Sequence, residues 1–141
     1  MRIAMKDEFA IIYSYRDWIE LPVCLYLHGI CSGEIFSDCT GSDFANFLNL
    51  KPTKRPIEKN DLKGLQIIYL LAQLVKVIEI KESRKFWLLE MLKHFRLTYD
   101  YFESHRKDFD RPNDSVRKDN IEFRDKVQNA LKEAQKFRNR N

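Results

Sequence analysis

The sequence has few of the residues that interrupt regular secondary structure. Its 141 residues include only four glycines and four prolines. A β-sandwich needs many tight turns, and those turns are rich in glycine and proline. The scarcity of both residues therefore argues against a β-sandwich and favours a helical chain.

Long uncharged runs are also missing. The two longest are 21–33 and 65–75, of thirteen and eleven residues, whereas a membrane-spanning helix needs roughly 18 apolar residues. Lys6, Asp7 and Glu8 stand where a signal peptide would carry its apolar segment. We therefore expect a cytoplasmic protein without a membrane partner.

Cysteine is too sparse for a disulfide framework. The three cysteines, Cys24, Cys31 and Cys39, are odd in number and confined to one segment, so we expect reduced thiols. With His28 they offer zinc-ligand chemistry. However, Cys24 and Cys31 would lie about 10 Å apart along a helix, too far to share a metal unless the helix ends between them. We predict no metal site, and the role of these four residues is left open.

Motifs that carry catalysis are absent as well. The chain has no phosphate-binding glycine loop, no dinucleotide fingerprint, no HExxH and no GxSxG. A Cys–His nucleophile near His28 would need an oxyanion hole and an orienting partner, and neither is visible. The sequence therefore predicts no enzymatic activity and no cofactor.

What the sequence does have is strong helical periodicity, most of all in segment 60–80. One set of apolar residues recurs there at helical spacing: Leu62, Leu65, Ile68, Tyr69, Ala72 and Val75. A second set fills most of the remaining arc: Ile67, Leu70, Leu71, Leu74 and Val77. Because a helix that is apolar nearly all round is enclosed by neighbours, we predict a compact all-α domain of five to seven helices around a central helix, 61–78.

Capping residues and apolar stripes place the other helices. They predict helices over 5–20, 22–30, 43–50, 84–95, 98–109 and about 115–138. The predicted N-caps are Ser42, Asn60 or Asp61, Ser83, Thr98, and Asp114 or Ser115. Pro22 suits the first turn of its helix, since its missing N–H would have no partner there.

Charge divides the chain into two halves. Residues 1–50 contain 3 Lys/Arg and 7 Asp/Glu, and residues 51–141 contain 22 and 14. We expect an acidic helical layer over 1–50, a linker over 51–60 marked by Pro52 and Pro56, and a basic helical region over 61–141, together forming one domain. A basic half indicates a polyanionic partner, although solvated helix faces are also rich in Lys and Arg.

Segment 83–109 has the outline of a helix-turn-helix, in which the second helix enters the DNA major groove. The side chains predicted to reach base edges are Tyr99, Tyr101, Ser104 and His105. The predicted phosphate contacts are Arg106, Lys107 and Arg111. The alternative is an ordinary helical hairpin, because the turn has no glycine and acidic residues accompany the second helix.

Apolar and aromatic motifs over 62–137 also resemble a known family. The matching pieces are Leu71-Ala-Gln-Leu74, Phe86 to Phe95, Tyr99-x-Tyr101-Phe102 with Arg106, and Phe123 with Val127 and Leu131. This order resembles the C-terminal region of the RteC-type regulators of Bacteroidetes conjugative transposons. The resemblance implies a non-enzymatic, DNA-binding regulatory accessory protein of a bacterial mobile element, with duplex DNA as its partner.

A second hypothesis is a helical protein–protein interaction module. It requires that the aromatic excess include an exposed anchor cluster. The residues considered for it are Trp18, Phe44, Phe47, Trp87, Tyr99, Tyr101 and Phe102. A continuous positive face would favour DNA binding, and an exposed aromatic patch would favour this alternative. The oligomeric state is left open.

Overall fold

The computed structural model describes residues 17–140, without the side chains of 138–140, and this part is all-helical with no strand. The helices are α1 (Leu21–Cys31), α2 (Gly41–Leu48), α3 (Gly64–Val77), α4 (Arg84–His94), α5 (Tyr99–His105) and α6 (Lys118–Arg140). Short 3-10 turns cover Lys81–Ser83, Asp108–Asp110 and Asn113–Ser115. The predicted all-α fold is thus confirmed.

The predicted first helix, 5–20, falls largely outside the described part of the chain. It lies outside the described residues as far as residue 16, and residues 17–20 are not helical.

Within residues 17–140, no helix combines the length and the apolar character that crossing a bilayer requires.

Helix α3 lies at the centre of the fold, as predicted. Its buried side chains include Ile67, Ile68, Leu70, Leu71 and Leu74. Helices α4, α5 and α6 all pack against it, while α1 packs on α2 and most extensively on α6. The continuous apolar arc of α3 is therefore covered by three neighbours, which explains why so few of its positions are polar.

The start of the central helix differs from the prediction. Neither Asn60 nor Asp61 caps it, and the helix begins at Gly64 after an N-cap at Lys63. The Asn60 side chain instead donates to the carbonyl oxygens of Glu34 and Phe36, at 2.9 and 3.0 Å. Leu62 is not part of the buried stripe, because it lies at φ 64° with a fully exposed side chain.

Other helix boundaries differ for local reasons. Thr40, rather than Ser42, caps α2 by accepting from the Asp43 amide at 3.0 Å. Ser83 precedes α4 without a side-chain capping bond. Helix α6 begins at Lys118, not at 114 or 115, because Asn113–Ser115 forms a separate 3-10 turn.

A buried hydrogen bond attaches the acidic half to the basic half. The indole Nε1 of Trp87 on α4 donates to the Leu48 carbonyl at 2.8 Å, in a fully buried position. Since a buried polar group that loses its partner is costly, this bond helps to fix how the halves dock. Within the acidic half, Asn49 Oδ1 accepts from the Ile19 amide at 2.8 Å, and Asn49 Nδ2 donates to the Ile19 carbonyl at 3.1 Å.

Segment 51–60 is non-helical, as its two prolines predict, and it is closely attached to the fold. The Asp43 carboxylate accepts from the Lys54 and Arg55 amides at 2.9 and 3.3 Å. Ile57 is buried, and its carbonyl accepts from His94 Nε2 at 2.6 Å. Backbone and side-chain bonds therefore hold this segment against both halves of the chain.

Candidate nucleic-acid interface

The two helices predicted to form a helix-turn-helix are present, joined by a tight turn. The turn places Arg96 at φ 58°, a left-handed conformation usually supplied by glycine, and the Leu97 amide donates to the Leu92 carbonyl at 2.9 Å. Thr98 caps α5 as predicted, accepting from the Tyr101 amide at 3.0 Å. Because ordinary helical hairpins share this outline, a DNA-binding role for the unit stays a prediction.

Helix α5 is shorter than predicted. The sequence favoured a helix over 98–109, whereas the helix ends at His105 and Asp108–Asp110 forms a 3-10 turn. Phe109 is buried there and stacks on Tyr69 of α3, with ring centroids 5.3 Å apart. Burial of Phe109 against α3 draws the chain inward, which ends the regular helix after two turns.

A groove of about 350 Å³ lies between the end of α3, the start of α4 and α5. Three of the predicted site residues line it: Tyr99, Arg106 and Lys107. The other charged residues that line it are Lys76, Lys81, Arg84, Lys85, Glu103 and Asp110. We call this the basic groove, because it brings together six cationic side chains and two carboxylates.

Most positive charge in the basic groove is uncompensated. In the part of the chain that the structure describes, Lys76, Lys81, Lys85 and Lys107 have no carboxylate within ion-pair distance. Arg106 differs, since its Nε lies 3.6 Å from Glu103 Oε2. These four lysines therefore provide positive charge for an anionic ligand.

Two groups on the groove wall are held by neighbours. Arg84 donates to the Ile78 and Lys76 carbonyls at 2.9 and 3.0 Å, so it caps the end of α3. A hydrogen bond to Glu103, together with desolvation and the Glu103 charge, raises the pKa of Tyr99. Tyr99 therefore keeps its phenolic proton to a higher pH than a free tyrosine does.

The remaining predicted site residues do not line the basic groove. The Tyr101 hydroxyl lies beside Gly64 at the start of α3, and the Tyr101 and His105 rings are 4.5 Å apart. His105 Nδ1 donates to Asp108 Oδ2 at 2.7 Å, and Arg111 Nη2 lies 3.5 Å from Asp108 Oδ1. Ser104 is exposed but also lies outside the groove lining. The structure thus divides the predicted set between two sides of α5.

Three groove lysines were not predicted from the sequence. Lys76, Lys81 and Lys85 come from the end of α3, a 3-10 turn and the start of α4. With Arg84 they form a cluster of four cations within ten residues. That local density was a usable signal, but Glu79 and Glu82 within the same stretch make it resemble a solvated helix surface.

The basic surface continues toward the last helix. A second groove, of about 420 Å³, shares Lys76 and Arg84 with the basic groove and reaches Lys132 of α6. Glu20 and Glu79 also line this second groove. The positive charge is therefore densest in the basic groove and decreases toward α6.

The cysteines of the first half are core residues. Burial raises the pKa of Cys24 to about 12 and raises that of Cys31 as well. His28 Nε2 donates to the Cys39 carbonyl at 2.6 Å rather than to a thiol. Among residues 17–140, no three His, Cys, Asp or Glu side chains are grouped so that they could hold a metal. Protonated buried thiols are poor nucleophiles and poor ligands, so packing accounts for Cys24 and Cys31.

Most of the aromatic residues considered as exposed anchors are buried, so that part of the interaction-module hypothesis is wrong. The buried ones are Trp18, Phe44, Phe47, Trp87 and Phe102. Tyr101 is half-buried, and Tyr99 is 36% exposed in the basic groove. A different apolar set is exposed on α1 and α6, namely Leu21, Leu25, Tyr26 and Phe137, which line a common pocket.

Comparison of the chain with known proteins found no matching family model, no matching curated protein and no matching solved structure. The resemblance to RteC-type regulators therefore stays a prediction made from the sequence.

Proposed function

We propose that this protein binds duplex DNA through the basic groove and acts as a non-enzymatic regulatory accessory protein. One observation carries the proposal: four lysines from separate elements converge, and none of them has a carboxylate partner among residues 17–140. Lys76 comes from α3, Lys81 from the 3-10 turn, Lys85 from α4, and Lys107 follows α5. Their arrangement depends on the folded structure, because the lysines are spread over thirty-two residues of sequence.

The physical basis is counterion release. Lysines that neutralise DNA phosphates release the cations condensed on the duplex, and this release drives binding most strongly at low salt. Lysines already paired with carboxylates would contribute less, because one attraction would replace another. The lack of such partners at these four positions in residues 17–140 therefore supports phosphate binding.

Acidic residues on α5 limit how DNA can approach. Glu103 lies in the basic groove, but Arg106 partly compensates its charge at 3.6 Å. Asp100 is exposed near the start of α5, where a recognition helix would meet base edges. We therefore propose that the phosphate backbone lies along the lysines. The regulatory role in a mobile element is supported by the sequence-based resemblance alone.

Fluorescence anisotropy of a labelled duplex at several salt concentrations tests this proposal. The Lys81→Gln/Lys85→Gln double variant should bind more weakly, and its plot of log affinity against log salt should be flatter by about 1.8, since each phosphate contributes ~0.9. The matched control is Lys93→Gln/Lys126→Gln, which removes the same charge from exposed lysines outside the groove lining.

Two outcomes would contradict DNA binding through the groove. One is a failure of the wild-type chain to bind duplex at low salt. The other is an equal loss in both double variants, since this would indicate a general effect of net charge rather than a site.

A helical protein–protein interaction module remains the second candidate, and the exposed apolar residues on α1 favour it. Leu21, Leu25 and Tyr26 are 52%, 54% and 41% exposed. Grouped apolar exposure of this kind is typical of interaction surfaces. Leu25→Glu should then reduce co-purification of a partner without changing the salt dependence of DNA binding, and an unchanged partner profile would argue against this surface.

A further inference from the structure

The floor of the basic groove is apolar, which phosphate binding alone does not require. Ala72 and Val75 of α3, Leu88 of α4 and Phe102 of α5 all line it. Phosphate contacts are made by charged and polar side chains and by backbone N–H groups. An apolar floor beneath a cationic rim instead matches a ligand with an uncharged flat part and an anionic part.

A buried amide adds a polar group at this floor. Gln73 of α3 lines the groove and is 8% exposed. Its Oε1 accepts from Gln128 Nε2 at 3.1 Å, and the same Gln128 nitrogen donates to the Tyr69 hydroxyl at 2.7 Å. The Gln73 Nε2 donates to no group among the described residues. Because buried donors are almost always satisfied, this nitrogen is available to an acceptor on a ligand in the groove.

Tyr99 provides an aromatic surface at the rim of the groove. Its ring lies 6.2 Å from that of Phe102 in a stacked arrangement, and Lys85 Nζ lies over the ring at 4.9 Å from the centroid. Phe102 is fixed in the core, whereas the lysine ammonium sits on a flexible side chain that can move to a phosphate. Exposed tyrosine rings of this kind stack with nucleic-acid bases.

We infer that the basic groove binds one nucleotide, with its base against Tyr99 and the apolar floor and its phosphate among Lys81, Lys85 and Lys107. The Gln73 amide then donates to an acceptor atom on the edge of the base. The groove volume of about 350 Å³ is at the small end of the range for ligand sites, which suits a single nucleotide. Three independent features therefore indicate the same ligand chemistry.

This inference goes beyond the proposed function, because a base that stacks on Tyr99 must be unpaired and an intact duplex offers no such base. The nucleotide can be a unit of a single strand or a free molecule with the same chemistry, so the experiment must separate the two sources. The probes are a short single strand that carries 2-aminopurine, the same strand with an abasic site in its place, the matching duplex, and free deoxyadenosine monophosphate.

The wild-type chain should change the 2-aminopurine fluorescence of the single strand. It should also bind that strand roughly tenfold more tightly than the abasic strand, since a stacked base contributes about that factor. Competition with deoxyadenosine monophosphate separates the sources: displacement of the strand indicates a site for free nucleotides, and no displacement indicates a site for a strand.

Variants assign the effect to the groove. Tyr99→Ala should remove most of the difference between the normal and abasic strands, and Tyr99→Phe should retain it because the ring remains. Gln73→Met should weaken binding of the normal strand by a few-fold and leave binding of the abasic strand unchanged. The control is Tyr26→Ala, which removes a comparably exposed tyrosine from α1 and should change neither.

The results also separate this inference from the proposed function. If normal and abasic strands bind equally, and Tyr99→Ala affects neither, the nucleotide site is wrong while duplex binding through the lysines can still hold. If duplex binding fails but the free nucleotide binds with the same dependence on Tyr99, the nucleotide site stands and the proposed function is wrong. If no probe binds at low salt, both are wrong.

Discussion

The two sides of α5 carry similar residue types and yet offer very different surfaces to a ligand. On the groove side, Lys107 joins Lys76, Lys81 and Lys85, which have no carboxylate within ion-pair distance in the described chain, and only Arg106 has a carboxylate neighbour, Glu103 at 3.6 Å. On the other side, His105 and Arg111 both contact Asp108, at 2.7 and 3.5 Å. One side presents net positive charge, and the other is largely neutralised by its own carboxylate.

The type of a charged residue alone therefore does not show whether its charge is available to bind an anionic ligand. A cation beside a carboxylate retains its charge but creates a weaker field, and binding an anion then disturbs an existing contact. Tyrosines follow the same division, because Tyr99 lines the groove while Tyr101 lies beside Gly64. The predicted DNA contacts are therefore expected to contribute unequally.

The largest expected effect is a loss of folding stability, which would disrupt both sides of α5 because α5 packs on α3. Leu71 is 1% exposed, and Leu71→Ala should lower the free energy of unfolding by about 2–5 kcal/mol through lost burial and a residual cavity. Denaturant titration measures this loss. Leu62→Ala is the matched control, since its side chain is fully exposed, and a loss below ~1 kcal/mol for Leu71→Ala would contradict a central α3.

The next effect compares the two sides of α5 directly. Lys107→Ala should lower duplex affinity and flatten its salt dependence by about one, as expected for one phosphate contact. Arg106→Ala and Arg111→Ala should have smaller effects, because Glu103 and Asp108 lie 3.6 and 3.5 Å from their guanidinium groups. Anisotropy at several salt concentrations gives the three slopes. Equal slopes for Lys107→Ala and Arg111→Ala would show that the two sides do not differ.

Removing the carboxylate on the neutralised side of α5 should increase duplex affinity. Asp108→Asn removes the carboxylate that contacts His105 and Arg111, so duplex affinity should rise and the salt dependence should become steeper by up to about one. Asp114→Asn removes the same charge from an exposed position with no ion pair in residues 17–140, and it serves as the control. An equal gain in both variants would indicate only a change in net charge.

The smallest effect concerns the phenol of Tyr99. Its hydrogen bond with Glu103 raises its pKa, so the neutral phenol persists to higher pH than for a free tyrosine. Glu103→Gln should lower that pKa, and phenolate should then form at lower pH. The difference between absorbance titrations of each chain and of its Tyr99→Phe counterpart isolates this residue. No change in Glu103→Gln would show that the contact does not form in solution, and Glu122→Gln controls for a lost surface charge.

The fold was predictable where local patterns and long-range packing agree. The apolar arc of α3 allowed only a buried helix, and Thr98 combined a capping side chain with a preceding turn. The start of α3 was not predictable, because Asn60 is bound to the Glu34 and Phe36 carbonyls far away in sequence. Similarly, burial of Phe109 against Tyr69 shortens α5, and no local rule anticipates that contact.

The candidate site was only partly predictable. Tyr99, Arg106 and Lys107 were found because they share one predicted helix, 98–109, in the position of a recognition helix. Lys76, Lys81 and Lys85 were missed because they join that helix only after α3 and α4 have packed together. Sequence spacing describes neighbours on one element, whereas this groove is formed by side chains from several elements.

Because the hydrogen bond between Trp87 and Leu48 is buried between the two halves, their docking can be followed by tryptophan fluorescence. Trp87 Nε1 donates to the Leu48 carbonyl inside the core, so its indole has the dry, hydrogen-bonded surroundings that native assembly creates. With Trp18 replaced by phenylalanine, Trp87 would be the only tryptophan, and a red shift in its emission would report separation of the halves. Stopped-flow mixing could then establish whether the acidic half joins the basic half before or after the basic helices have formed.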